Sequence, residues 1–376
     1  MEGLSGAAGD PAPSSQHRTA KRGRAPSWAA TSRASSESPR SPAMTDVAKL
    51  ARVSHQTVSR VLNGHPNVSP MTRSKVLAAI QQLGYRPNSA ARTLATGHSM
   101  TLGVITLKGT FFGPISTLYG VEQAARAAGY FVSVVSLLSI DHRSVGDAVD
   151  RLTAQMVEGI AVIAPLTSAA EALDVLPANL PVVVVEGDPG GNLAAVRVDQ
   201  EAGARTATAY LLSAGHDCVF HVSGPTEWHE SHARLAGWRS ALQEAGAEVV
   251  PVVSGDWTAR SGYEAGRVLA RIPEATAIFA ANDQMALGVL RALHEQGRRV
   301  PEDVSVVGFD DIPEAAYFSP ALTTVRQDFD QVGRASLKLL LDQMSSGTRS
   351  GEQLVVPSDL VVRQSTLSPV TRPAGT

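Results

Sequence analysis

Eight short apolar runs, separated by amphipathic stretches, constrain this chain more than any other feature. They are Leu102 to Leu107, Phe131 to Leu138, Gly159 to Ala164, Val182 to Val185, Val219 to Val222, Val249 to Val253, Ala277 to Ala280 and Val304 to Val307. Each is the length of a strand and too short for a helix, and near-continuous apolar content is the mark of a strand buried on both faces. The stretches between most of them end in glycine, at Gly129, Gly215, Gly246 and Gly297, where a helix stops. Strand and helix in alternation build parallel sheets covered by helices. The units outnumber those of one compact doubly wound domain, so two sheets are expected.

In open sheets of this kind ligands bind beyond the carboxyl ends of the strands. The residues just past the runs are therefore informative. They are Lys108 to Pro114 with Phe111 and Phe112, then Pro165, Glu186, Ser223-Gly224, Asp256-Trp257, Asn282-Asp283 and Asp310-Asp311. Carboxylates and amides hydrogen-bond hydroxyls, and a flat Trp face covers the C–H side of a sugar ring. A neutral polyol, most simply a sugar, is the expected ligand.

The N-terminal part is organised differently. Between Thr45 and Asn63, Val47, Leu50 and Ala51 stand at helical spacing, and Val58, Val61 and Leu62 repeat it. Each set makes one apolar stripe. Val53-Ser54 separates them, with Ser54 as N-cap of the second helix. This is the plan of a helix-turn-helix, whose second helix enters a major groove by its N-terminal end. His55, Gln56, Thr57 and Arg60 remain on its outer face, and Gln and Arg can read base edges. A helical hairpin with a solvated polar face has the same pattern. A third helix begins at Ser69 and Pro70, carries Val76, Leu77, Ile80 and Leu83 as its core stripe, and ends at Gly84.

Charge separates the two parts. Residues 45 to 100 carry seven basic side chains against Asp46 alone, a net of +6, and residues 1 to 44 carry six basic and three acidic side chains. The whole chain has a formal charge of -2, so the remainder from residue 101 carries -11. A basic module joined to an acidic body fits a phosphate-binding head.

Residues 1 to 43 are rich in Ser, Ala, Pro, Gly and Arg and read as disordered. They are either a basic arm or an extension preceding a true start at Met44. Residues 88 to 99 form a joint in which Asn88 is a capping signal and Arg92 and Leu94 are the salient side chains. It is an ordinary linker or a short helix that folds in a minor groove, with Leu94 wedged between base steps. No apolar run approaches a membrane span, and the N-terminus has no signal-peptide core, so a cytoplasmic protein is expected. Cys218 is the sole cysteine; it is expected to be a buried small residue, and no disulfide or cysteine cluster is possible within the chain.

Other chemistries find less support. Adjacent carboxylates such as Asp310 and Asp311 leave a strand on opposite sides, which disfavours a glycosidase pair. Asp188 to Asn192 is glycine-containing but lacks a phosphate-loop ending. His216, His221, His229 and His232 lack metal-ligand spacing, and no Gly-x-Ser-x-Gly elbow is present. No enzyme activity, cofactor or metal is expected.

Several segments together resemble the lactose-repressor (LacI/GalR) family. They are Thr45 to Asn63, Val68-Ser69, Gly84 to Asn88 and the Leu94 joint in the head. In the body they are Arg234 to Trp238, Gly255 to Trp257, Ala281 to Gly288, Ser305 to Asp311 and Leu322 to Phe329. They occur in the family's order and span about residues 44 to 366.

The resemblance implies a helix-turn-helix head at 44–87, a hinge at 88–99 and a periplasmic-binding-protein-like α/β core at 100–368, with a tail at 369–376. The core's first subdomain would hold 101–198 plus 329–356, and its second 199–327 plus 357–368. The family's members are dimeric regulators of transcription, usually repressors. Ser54, His55, Gln56, Thr57, Arg60, Asn63, Asn88, Arg92 and Leu94 would then meet double-stranded operator DNA. Phe112, Pro114, Glu186, Trp228, Arg234, Trp257, Asn282, Asp310, Gln327 and Phe329 would meet a mono- or disaccharide effector. Glu186 stands where the family's type member has a carboxylate, and His55 where it has Tyr. Pro369 and Pro373 exclude a long tetramerising coiled coil, so a homodimer is expected. A non-sugar effector, a corepressor, or a sugar receptor without DNA function remain as alternatives.

Overall fold

The computed structural model describes residues 42–86, 93, 97–190 and 193–367. Their contacts divide at Pro87–Asn88 into two compact units.

In the head, α1 (Met44–Ala51) starts where Asp46 Oδ2 accepts from the Ala43 amide at 2.8 Å. It ends at Arg52, whose left-handed φ of 54° makes the tight break. Ser54 then opens α2 (His55–Leu62), its hydroxyl accepting from Thr57 N at 3.1 Å. Ser69 caps α3 (Pro70–Leu83) in the same way, and Gly84 closes it at φ 61°. The core differs from the expected stripes. Ala48 and Ala79 are buried with Val47, Ala51, Val58, Val61, Val76 and Tyr85, whereas Leu50 and Leu77 are exposed. Three helices this short can close only where small side chains let them approach, so alanine displaces leucine from the contact.

The body begins with β1 (Thr101–Leu107), α4 (Phe112–Ala127), β2 (Phe131–Leu137), α5 (His142–Thr153), β3 (Ile160–Ile163), α6 (Ala169–Ala172), β4 (Val182–Val185) and β5 (Ala194–Val198). The chain then crosses to α7 (Gln200–Ser213), β6 (Phe220–Ser223), α8 (His229–Glu244), β7 (Val253–Ser254), α9 (Ala259–Leu269), β8 (Ala277–Ala280), α10 (Asp283–Glu295), β9 (Ser305–Asp310) and β10 (Thr323–Gln327). It returns with α11 (Phe329–Ser346) and β11 (Gln353–Val356), and crosses a last time into β12 (Ser358–Val361).

Among the described residues the strands form two six-stranded sheets, ordered β11-β5-β4-β3-β1-β2 and β12-β10-β9-β8-β6-β7. All pairings are parallel except that of β12 with β10. The order reverses beside β1 in one sheet and beside β6 in the other, so β1 and β3, and β6 and β8, flank the two switch points. The central strands are buried on both faces, as their Val- and Ile-rich runs require. Gly129, Gly215, Gly246 and Gly297 all have positive φ where the helices stop.

Three expectations need correction. The Val249 to Val253 run pairs only through Val253–Ser254; Pro251 has no amide hydrogen to give a ladder. The strand β5 stands outside the expected runs because exposed Arg197 interrupts its buried pattern. Cys218 is half-buried, not buried.

Close backbone approach fixes one helix pair. A Cβ on Gly120 would lie 2.1 Å from the Phe329 carbonyl oxygen, and one on Gly333 2.1 Å from Gly120. Both glycines are needed for α4 and α11 to meet, and their contact brings Phe112 within 5.8 Å of Phe329, ring centre to ring centre.

Candidate functional site

On the head, α2 presents His55 and Gln56 at its N-terminal end and Arg60 in its last turn to solvent, with Asn63 exposed just past that turn. Ser54 and Thr57 are engaged in the cap, their hydroxyls 2.9 Å apart. Asn63 Nδ2 donates to Ser59 Oγ at 3.4 Å. Of the residues expected to meet DNA, His55, Gln56 and Arg60 therefore have the freest polar groups, and two of them have base-reading chemistry. Asn88, Arg92 and Leu94 lie outside the described residues.

In the body, the carboxyl ends of the strands converge on a cavity of about 200 Å³. All ten residues expected to meet the effector line it: Phe112, Pro114, Glu186, Trp228, Arg234, Trp257, Asn282, Asp310, Gln327 and Phe329. The volume equals roughly seven waters, the scale of one hexose.

Its polar wall is a closed ring of buried side chains. Arg234, on α8, lies 3.3 Å from Asp310 Oδ1, and both side chains are about 95% buried. Arg234 Nε donates to Gln200 Oε1 at 2.9 Å, and its Nη1 donates to the Ala281 carbonyl. Gln200 Nε2 donates to Gln327 Oε1 at 2.8 Å, and Gln327 Nε2 returns to Asp310 Oδ1 at 2.8 Å. The Arg234 guanidinium also sits 3.8 Å over the Phe309 ring centre, a favourable seat for a desolvated cation. Burial pushes the Asp310 carboxyl up to about 6, against the opposite pull of Arg234 and the Gln327 amide.

Asp311 takes no part. It pairs with Arg326 at 2.6 Å and Arg363 at 2.6 Å on the other side of the strand. Asp256 likewise faces away and caps its own loop through Thr258.

Asn282 caps α10, its Oδ1 accepting from Met285 N at 2.9 Å while Nδ2 donates to the Trp257 carbonyl at 3.0 Å. The cap thus ties one wall of the cavity to another. Aromatic rings line the apolar side. Trp228 packs edge-on against Phe111 at 5.0 Å and against Trp257 at 5.8 Å. Gly224 makes room for Trp257, since a Cβ there would meet the indole at 2.1 Å. Backbone bonds from Thr167 N to Glu227 O and from His229 N to Pro165 O, both 2.9 Å, hold the Trp228 loop to the other subdomain.

Glu186, Trp257 and Asp310 all have left-handed φ, at 57°, 70° and 110°. Non-glycine residues persist in such conformations only where the surroundings over-determine them, and binding sites are where this clusters.

Four cavity residues, Gln200, Glu230, Thr258 and Gln284, were not among the residues expected to meet the effector, and two of them are polar groups of its inner wall. Gln200 completes the ring, and Glu230 stands on the first turn of α8. A polar residue in a first helical turn is ordinarily a solvated cap, so only their spacing to Arg234 in the fold distinguishes them. Among the described residues no His, Cys, Asp and Glu grouping is suited to a metal ion.

The geometry has counterparts in known proteins. Residues 43–88 match the model for bacterial regulatory proteins of the lacI family, and residues 208–366 match that for a periplasmic binding protein-like domain. The lactose operon repressor of Escherichia coli (strain K12) is 35% identical over 333 residues, covering 88% of this chain and 92% of that protein. This chain belongs to the lacI family. The transcriptional regulator CelR of Thermobifida fusca is 38% identical over 343 residues, covering 87% of this chain and 98% of its own length. Among solved structures, a Lac repressor dimer bound to operator and the anti-inducer ONPF superposes with a TM-score of 0.76 at 34% identity, covering 87% of this chain and 99% of that one. A CelR–cellobiose complex does so at 0.64 and 35% identity, covering 86% and 99%. The fold is therefore that of a family member, a helix-turn-helix head and a two-subdomain α/β core.

Proposed function

We propose that this lacI-family chain is a sequence-specific DNA-binding regulator of transcription, a repressor of sugar-utilisation genes that a glycoside releases from its operator. One observation carries the reading. A capped helix with exposed His55, Gln56 and Arg60 shares a chain with a cavity of hexose size, walled by buried hydrogen-bonding groups and indole rings. Relatives solved with operator and with cellobiose support both halves.

The active form is a homodimer. Its two heads read a pseudo-palindrome in successive major grooves, and Leu94 of each hinge wedges into the minor groove between them. In the cleft, Asn282, Asp310 and Arg234 hold hydroxyls, while Trp257 and Trp228 cover the ring's apolar face. The second indole favours a glycoside whose second group, a sugar or an aryl ring, lies toward Phe111 and Phe112. Effector binding shifts the subdomains, and the operator complex weakens by the difference in effector affinity between the two states, about 1–3 kcal/mol. The reading assigns no catalytic residue, cofactor or metal. A regulator of this kind acts in the cytoplasm, where its DNA is.

Fluorescence anisotropy with a duplex taken from upstream of the protein's own gene tests the reading. Binding is expected to be lost in Arg60→Ala and weakened by at least one sugar found by a thermal-shift screen of sugars and nucleobases. Operator affinity that no screened ligand alters, or hydrolysis of chromogenic glycosides by the pure protein, would overturn it.

A further inference from the structure

Two carboxyls in the cleft belong to no bond described above. Glu186 follows the end of β4 and Glu230 lies in the first turn of α8, and their residues are only 6% and 9% exposed. Both line the effector cavity and also a second cavity of about 370 Å³ beside it. Glu186 Oε2 accepts a long 3.4 Å bond from Val198 N. Among the described residues, Glu186 Oε1, Glu230 Oε2 and Trp257 Nε1 are buried without a hydrogen-bond partner. Burial pushes Glu186 up to about 7; burial and then the charge of Glu186 push Glu230 up to about 8. The charge of Arg234, and on Glu186 a hydrogen bond from the Gln200 side chain, pull against these rises without cancelling them, and the contacts of Arg234 go to Asp310, Gln200 and the Ala281 carbonyl.

Buried polar atoms are nearly always satisfied, and an exception calls for a cause. Here two acceptors and one donor remain in one cavity. A hydroxyl suits both kinds, because its hydrogen donates to a carboxylate and its oxygen accepts from an indole N–H.

We propose that Glu186 and Glu230 form a carboxyl-pair subsite that takes two donating hydroxyls of one effector, a vicinal diol, and so decides which hydroxyls that effector must carry unsubstituted. The assignment rests on the cleft being a polyol site. A methyl ether or a deoxygenated carbon at that position leaves a buried carboxyl without its donor. The ionised pair accepts best, so effector binding tightens as pH rises through the range in which the pair ionises, and releases protons. The charged groups acting on the pair are Arg234 from α8, Arg197 from β5 and Asp310 from β9. His229 and Asp188 line the second cavity with them.

Titration calorimetry of the full chain with glucose, galactose and cellobiose, and with singly deoxygenated glucose and galactose, tests the subsite. At least one deoxygenated sugar is expected to bind the wild type about tenfold or more weakly than its parent. Glu186→Gln and Glu230→Gln are expected to cut that penalty below about threefold, as coupled partners do in a double-mutant cycle. Circular dichroism establishes that each variant is folded. The wild type alone supplies a second readout, tighter binding at about pH 8.5 than at about pH 6.5 with proton release in buffers of differing ionisation enthalpy. Penalties that both variants leave unchanged, together with pH-independent binding, overturn the subsite and leave the polyol reading standing. No binding by any of these sugars overturns the polyol reading and the subsite with it.

Discussion

Arg234 makes three commitments within the cleft, to Asp310, to Gln200 and to the Ala281 carbonyl. Removing it strands Asp310 as a buried charge without its cation. Arg234→Ala is therefore expected to destabilise the body by about 3–5 kcal/mol in urea unfolding followed by indole fluorescence. Lysine does not restore the ring, because it lacks the forked donors that reach two acceptors at once. The deficit should shrink as pH falls toward about 6 and be least below it, since Asp310, raised to about 6 with Arg234 and higher without it, takes a proton in place of its partner. The Glu186–Glu230 pair gives the ligand-free wild type a second dependence. Both carboxyls have folded values above their ordinary 4.5. Their favourable contribution is full below the ordinary value and lost as pH rises through about 7 to 8, so thermal stability should fall between about pH 5 and pH 8, by on the order of a few kcal/mol, and level off above it. Glu230→Gln should flatten that fall, and an equal slope in the variant would remove the pair as its source. At this scale the sequence was informative where a residue ends a recognisable apolar run or falls in a segment shared with the family, as Arg234 and Gln327 do. Asn282 follows β8 and Asp310 ends β9, so both lie at the end of a run. Gln200 and Glu230 do neither, and nothing in one helical turn says that it faces a cavity.

Elements were easier to read where one physical cause decides them. Valine and isoleucine runs became central strands because both faces had to be buried, and helix ends fell at glycines because a left-handed residue closes a helix there. Legibility failed where two causes competed. In the head, spacing favoured Leu50 and Leu77, but close helix approach selected Ala48 and Ala79. At β7 apolar content favoured a longer strand, and Pro251 withheld the ladder bond. The contact of α4 with α11 was hidden altogether, because it depends on the facing glycines Gly120 and Gly333 across a long loop of chain. Adding one methyl there, Gly333→Ala, forces the two helices apart at the point that seats Phe112 beside Phe329. The variant is expected to lose about 1–3 kcal/mol of stability and to bind effector more weakly without having touched a ligand-facing side chain. Calorimetry showing unchanged effector affinity would mean that these rings do not depend on the helix contact.

For the molecule as a whole, the uneven charge makes the two binding activities separable by salt. A head and hinge of net +6 over residues 45 to 100 must exchange counterions on meeting phosphates, and a neutral sugar exchanges none. Between about 50 and 200 mM salt, operator affinity should fall by about a thousandfold or more, while effector affinity for the free protein stays within about threefold. Coupling between the sites carries a stricter requirement. If an effector weakens operator binding by some factor, operator DNA must weaken effector binding by the same factor, because both report one free-energy difference. Anisotropy titrations of the operator at saturating effector, and calorimetric titrations of the effector at saturating operator, measure the two factors independently. Equal factors, unchanged when salt shifts the operator affinity itself, are expected of an effector that acts on the protein's equilibrium between two states. Factors that keep growing with ligand concentration and reach no plateau would mean competition, and factors that change with protein concentration would mean dissociation of the dimer; either would leave the cleft without allosteric command of the head.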